Sequence, residues 1–247
     1  MERHGQIRIG VGGWTFPPWR GVFYPDDLTQ KDELSYMSRR MSAIEINSTY
    51  YGSQKPATYR KWADETPDGF VFALKGSRFT TNRRILAEAG ESMKRFFDGL
   101  SEMGDKLGPI LWQFAQNKRF DADDFSAFLA LLPDQIGGLP LRHCMEVRHE
   151  SFMTPDFIAL CRRRGVAICL ADHPTFPVIA DITAGFTYAR LMNSSEAIET
   201  GYAGADLDAW AGRFKALAGN GDVFAFFIAG DKVRNPAAAM ALIERLG

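Results

Sequence analysis

The chain has 247 residues and a formal net charge of -1, from 29 Lys and Arg against 30 Asp and Glu. That balance supplies no general basic field for nucleic acid, so any recognition of anions has to be local. Hydrophobic residues make up 46% of the chain, including 19 Phe, enough for a large core, yet no apolar run approaches the ~18 residues of a membrane span.

The opening Met1-Glu2-Arg3-His4-Gly5 carries no apolar leader core. Ile7, Ile9 and Val11 alternate into Gly12-Gly13 and predict a first strand over residues 7–13. A long aromatic loop follows, from Trp14 to Asp27, and then a helix over 31–41. The second strand, 43–47, leads through Thr49-Tyr50-Tyr51 to a helix that Pro56 opens and Thr66-Pro67 closes. Residues 70–75 read as the third strand, followed by a basic loop at 78–84 and a helix over 91–103 that ends at Gly104. After the fourth strand, 109–113, Phe125, Phe128, Leu129 and Leu132 place one buried face on the next helix.

The fifth strand is 143–147. Thr154-Pro155 caps and starts its helix, and Gly165 ends it after Arg162-Arg163-Arg164, cations suited to a helix C-terminus. The sixth strand is 166–171, and 173–184 shows no helical stripe, so the sixth helix is shortened or replaced by irregular chain. The seventh strand, 186–191, precedes a helix with Leu207, Trp210, Ala211, Phe214 and Leu217 on one face. The eighth is 223–228, and Asn235-Pro236 caps a last helix to about 245. Cys144 and Cys169 fall inside strand runs, where cysteine acts as a small buried hydrophobe. Three cysteines make no disulfide framework, which fits a reducing cytoplasm.

Polar side chains recur where these apolar runs end: Glu45 and Asn47, Lys75, Gln113, Glu146 and Arg148, Asp172, Arg190. Burying such groups is costly unless they are paired, so a series of them implies strands converging on one polar site. That is the layout of a (β/α)₈ TIM barrel, an α/β fold with its site at the C-terminal ends of the strands. The expected organisation is one domain over 1–247.

Gly10-Val11-Gly12-Gly13-Trp14 with Trp19-Arg20-Gly21-Val22-Phe23-Tyr24-Pro25, and Glu45-Ile46-Asn47-Ser48-Thr49-Tyr50-Tyr51, occur in order with Phe72-Ala73-Leu74-Lys75, Glu146-Val147-Arg148-His149 and Tyr188-Ala189-Arg190-Leu191. Together they resemble the signatures of the YecE-like proteins, domain of unknown function 72, over nearly the whole chain. The resemblance implies a TIM barrel and no particular reaction. Where family members commonly carry His-Gly after the seventh strand, this chain has Met192-Asn193, and where they carry Thr-His after the third it has Thr81-Asn82. Ala115-Gln116 stands for a proline pair, and Ile228-Ala229-Gly230-Asp231 for an asparagine-rich end of the eighth strand.

Desolvated carboxylates beside fixed cations suit acid–base chemistry, because burial and charge partners decide which group holds the proton. Glu45, Lys75, Glu146 and Asp172 are therefore the candidate catalytic residues. Glu146 or Asp172 is the expected base, and Lys75 stabilises developing negative charge. Arg148 and Arg190 are the expected anion holders, with Asn47 and Gln113 as polar contacts and Trp14 as a stacking wall. Lys232, before the last helix, lies where barrels often bind phosphate. No dinucleotide fingerprint, P-loop or nucleophile elbow is present, and the cations crowding the mouth oppose a metal, so neither cofactor nor metal is expected. The reading is an enzyme for a small phosphate- or carboxylate-bearing substrate. Two others stand beside it: a metal-dependent phosphodiesterase or endonuclease-like barrel acting on nucleic acid, for which the Arg78, Arg83 and Arg84 loop and the aromatics speak, and a catalytically inactive binding or partner protein, for which the missing histidines at Asn82 and Met192 speak.

Overall fold

A computed structural model describes residues 4–247; Met1, Glu2 and Arg3, the start of the charged opening, lie outside the described residues. Strands β1 (Ile7–Gly12), β2 (Ala43–Ile46), β3 (Val71–Lys75) and β4 (Leu107–Gln113) run parallel, rich in the branched and aromatic residues that suit a pleated surface. A small antiparallel hairpin, β5 (Gln135–Ile136) and β6 (Leu139–Pro140), stands apart and turns through Gly137-Gly138, both at positive φ. The barrel resumes with β7 (His143–Glu146), β8 (Ala167–Ile168), β9 (Leu170–Asp172), β10 (Phe186–Leu191) and β11 (Asp222–Phe227).

The nine barrel segments follow the order β8-β7-β4-β3-β2-β1-β11-β10-β9. β8 and β9 are two halves of the sixth strand, parted at Cys169. The first pairs with β7 and the second with β10, so the ring closes through this strand. Eight parallel strands in one barrel result. Ala43, Ala73, Cys144, Ala167, Cys169 and Ala171 face inward with Tyr188, Phe224 and Phe226. The alternate residues, such as Ile44, Phe72, Trp112 and Met145, pack beneath the outer helices. Small residues thus recur on the narrow inside and large ones on the outside.

Helices α1 (Glu33–Ser38), α2 (Pro56–Asp64), α3 (Arg78–Thr81), α4 (Gly90–Phe97), α5 (Ala122–Ala130), α6 (Pro155–Arg164), α7 (Gly204–Leu217) and α8 (Asn235–Leu246) cover the outside. Residues 173–185 contain no helix, in keeping with the irregular sixth crossover expected. Thr154 Oγ1 accepts from the Phe157 amide at 3.3 Å and Gly165 ends α6 at φ 64°, as the sequence predicts.

Four expectations need correction. The helix expected over 91–103 breaks after Phe97, because Gly99 turns left-handed at φ 76° and the chain continues as tight 3₁₀ turns over Leu100–Lys106. The basic loop contains α3, nucleated when Ser77 Oγ accepts from the Phe79 amide. The first helix is only six residues, preceded by a 3₁₀ turn at Gln30–Asp32. Asn235 does not cap α8. Its Oδ1 accepts from Ser194 Oγ at 2.7 Å and its Nδ2 donates to the Ala229 carbonyl at 3.2 Å, tying the loops after β10 and β11 together.

All three cysteines are free and buried. Among the described residues, no helix is long and apolar enough to cross a membrane. An ion pair of Arg142 with Asp222, 2.9 Å apart, closes the N-terminal end of the barrel, with the guanidinium 4.6 Å above the Phe224 ring.

Candidate functional site

At the opposite end, the inward parity of four strands brings ionic side chains together. Glu45 near the end of β2, Glu146 at the end of β7 and Arg190 on β10 are all buried. Arg190 Nε and Nη2 each lie 3.1 Å from Glu45, on Oε2 and Oε1 respectively, and Nη1 lies 2.6 Å from Glu146 Oε2. Tyr188 donates its hydroxyl to Glu45 Oε2 at 2.8 Å, and Gln113 at the end of β4 donates to Glu146 Oε2 at 2.9 Å. Arg148 completes the set, with Nε 2.7 Å and Nη2 2.6 Å from Glu146 Oε1. One buried cation is thus clasped by two carboxylates whose oxygens all have donors, the condition under which buried charge is tolerable.

The electrostatics follow. Burial alone would raise the Glu146 carboxyl, but Arg190 and Arg148 override it and hold the group below the usual carboxylate range. Burial would likewise lower Arg190, and Glu146 and Glu45 outweigh it and raise it. Lys75, at the end of β3, behaves differently. Burial and then the neighbouring Arg190 guanidinium depress its amine to about 8. Its Nζ lies 4.3 Å from the centre of the Tyr50 ring, and it forms no ion pair among the described residues. The Tyr50 hydroxyl is fixed by Asn82.

On the other flank, Arg148 lies 4.4 Å over the Phe176 ring, against which His173 stacks at 3.6 Å. The irregular crossover after the sixth strand therefore supplies a wall of the mouth. His149 turns aside, its Nδ1 accepting from the Ser151 amide. Among the described residues, no three His, Cys, Asp or Glu side chains converge as a metal-ligand group.

Asp172 stands outside this cluster, contrary to the expectation of a shared mouth. Small Ala171 takes the inward position, so Asp172 points to the outer layer. There it accepts from the Tyr202 hydroxyl at 2.8 Å and from Asn193 Nδ2 at 2.7 Å. Arg190 is in the cluster, but its fork is already occupied by the two glutamates. Trp14, Asn47 and Lys232 belong to a neighbouring cavity of about 490 Å³ at the ends of β1, β2 and β11, lined also by Gly13, Trp62 and Asn235. Trp14 packs edge-on against Trp62 at 5.2 Å, and the Lys232 amine rests 4.4 Å from the Phe16 ring centre, its pKa lowered by burial. Asn47 Nδ2 donates to the Glu45 carbonyl at 3.4 Å, linking the two regions. A cleft of about 1180 Å³ between the loops after β3 and β4 is lined by Arg83 and Arg84 of the basic loop and by none of the candidate catalytic or substrate-binding residues.

Tyr188 and Phe176 were not singled out from the sequence. Tyr188 sits two residues before Arg190 and so shares its inward face, a period-2 signal present in the strand. Phe176 lies in an aperiodic segment that offers no such signal.

The closed parallel barrel and the ion network at its strand C-termini define the class of protein as a TIM barrel with a polar mouth. Residues 8–247 match the family described as protein of unknown function DUF72, and the chain belongs to that family. It is 26% identical over 179 residues to the UPF0759 protein YunF of Bacillus subtilis, covering 68% of this chain and 61% of that one. To the UPF0759 protein YecE of Escherichia coli it is 25% identical over 149 residues, covering 59% of this chain and 50% of that one. The matched stretches thus span only half to three-fifths of these relatives. A DUF72 family protein from Thermotoga maritima has the same fold, with a TM-score of 0.76 at 21% identity over 96% of this chain and 97% of that one.

Proposed function

We propose that the chain is an acid–base enzyme for a small anionic substrate bound at the C-terminal mouth of the barrel. One observation carries this: the carboxylates at the mouth are consumed by Arg190, Arg148, Gln113 and Tyr188, while Lys75 and Lys232 have no carboxylate partner among the described residues. Positive charge in excess, partly desolvated, favours an anion.

Arg148 uses Nε and Nη2 on Glu146, and its outer edge is the group offered to a phosphate or carboxylate. Glu146, held ionised by several donors, is a weak base, so its work is to orient the two arginines. Lys75, titrating at about 8, is the group suited to move a proton near neutral pH and to stabilise developing negative charge. Asp172 steadies the loop after β10 through Asn193 and Tyr202.

The test is thermal melting against inorganic phosphate and a panel of small phosphorylated and carboxylated metabolites. A ligand of the native state raises the melting temperature. The rise is expected in the wild type and lost in Arg148→Met. No rise with any anion contradicts the proposal.

A further inference from the structure

We propose that Lys75 is a covalent nucleophile, forming an imine with an aldehyde or ketone that also bears a carboxylate or phosphate, the anionic group lying against Arg148. This deepens, and rests on, the reading of the mouth as an anion site.

A lysine that makes imines needs a neutral amine, a fixed direction and access. Lys75 ends β3 on the inward parity with Ala73 and Val71, so its side chain rises into the mouth above the Glu45–Arg190–Glu146 layer. Buried lysines are ordinarily held charged by a carboxylate. Here the glutamates are committed elsewhere, and no carboxylate pairs with the amine. The Tyr50 face fixes its direction, and the Tyr50 hydroxyl is anchored on Asn82 at 3.2 Å. With the amine at about 8, roughly a quarter is neutral at about pH 7.5, against roughly one part in a thousand for an ordinary lysine. Desolvation beside another cation is a recognised means of activating a lysine.

The chemistry balances without an oxidant or reductant. The amine lone pair attacks the carbonyl carbon, a C–N bond forms, and the C=O π pair moves to oxygen, giving a carbinolamine. The C–O bond then breaks, and the former carbonyl oxygen leaves as water carrying both amine protons. The product is a C=N bond on Lys75, an electron sink for the adjacent carbon. Arg148 holds the acid group and thereby fixes which carbonyl face meets Nζ.

The experiment uses the whole chain with pyruvate or glyoxylate as probe, sodium borohydride to fix any imine as a secondary amine, and peptide mass mapping. We expect one dominant adduct at Lys75, faster as pH rises toward about 8, suppressed by inorganic phosphate and lost in Lys75→Arg. The wild-type map decides the matter even if that variant folds poorly. Scattered labelling of surface lysines, or labelling of Lys232 in preference to Lys75, overturns the inference. A melting-temperature rise with the same acids but no adduct defeats the covalent step and leaves the anion site standing. Neither a rise nor an adduct defeats both.

Discussion

Arg190 grips Glu45 with two nitrogens, each 3.1 Å from a different carboxylate oxygen, across a gap of 145 residues in sequence. That fork joins β2 to β10 through the barrel interior, with Glu146 of β7 as the third point of attachment. Arg190→Met leaves two buried carboxylates facing each other with reduced compensation, at an expected cost of ~3–5 kcal/mol. Arg190→Lys should recover little of it, since a point charge cannot reproduce the fork. Urea denaturation of both variants checks this; a loss under about 1 kcal/mol would show that the network contributes little to folding.

The pH dependence of stability has a definite sign. Glu146 has a folded pKa below its ordinary 4.5, so the unfolded chain takes up the proton first as pH falls. Its contribution is fully present above that ordinary value and is lost as pH drops through the depressed native one. Acid titration of the unfolding free energy should therefore fall from about pH 5 downward. Glu146→Gln should flatten that part of the curve.

Asp172 gives a prediction of the opposite kind from a mouth residue. It accepts from Tyr202 and Asn193 outside the ion cluster, so Asp172→Ala should cost ~1–3 kcal/mol by taking the acceptor from the buried Tyr202 O–H, whose oxygen still accepts from the Asn193 amide at 2.7 Å. Tyr202→Phe added to it should cost less than it does alone, the remaining loss being that of the acceptor for the Asn193 amide. Additive losses in the double-mutant cycle would mean that the two side chains do not act together.

Much of this was legible in the sequence because the barrel uses a period of two. Glu45, Lys75, Gln113, Glu146 and Arg190 end or interrupt apolar strands on the inward parity, and a charge there announces itself. Asp172 ends its strand just as conspicuously, yet the alternation of small Ala167, Cys169 and Ala171 with large Ile168 and Leu170 already put it on the outside. Tyr188 was hidden by the reverse effect, since an aromatic in a strand reads as core even when its hydroxyl holds a carboxylate. The commitment of Arg190 to two partners, and the Phe176 wall, depend on strands and loops far apart in sequence, which no local pattern encodes.

Ala229, just past β11, adopts φ 61° and is the one non-glycine with positive φ among the described residues. Left-handed backbone is unfavourable for a residue with a Cβ, so Ala229→Gly should stabilise the chain by about 0.5–1 kcal/mol. Ala229→Val should destabilise it, a branched residue fitting this region worse. Thermal melts of both decide the sign.

In the proposed function the mouth binds a small anion between Arg148 and Lys75. A crystal structure of the protein grown with saturating phosphate tests it most directly. One ordered anion is expected within hydrogen-bond reach of both the outer edge of Arg148 and the Lys75 amine, with the Arg190–Glu45 fork undisturbed. Anions found only on the outer helices or at the N-terminal end of the barrel, with the mouth holding none, would contradict it.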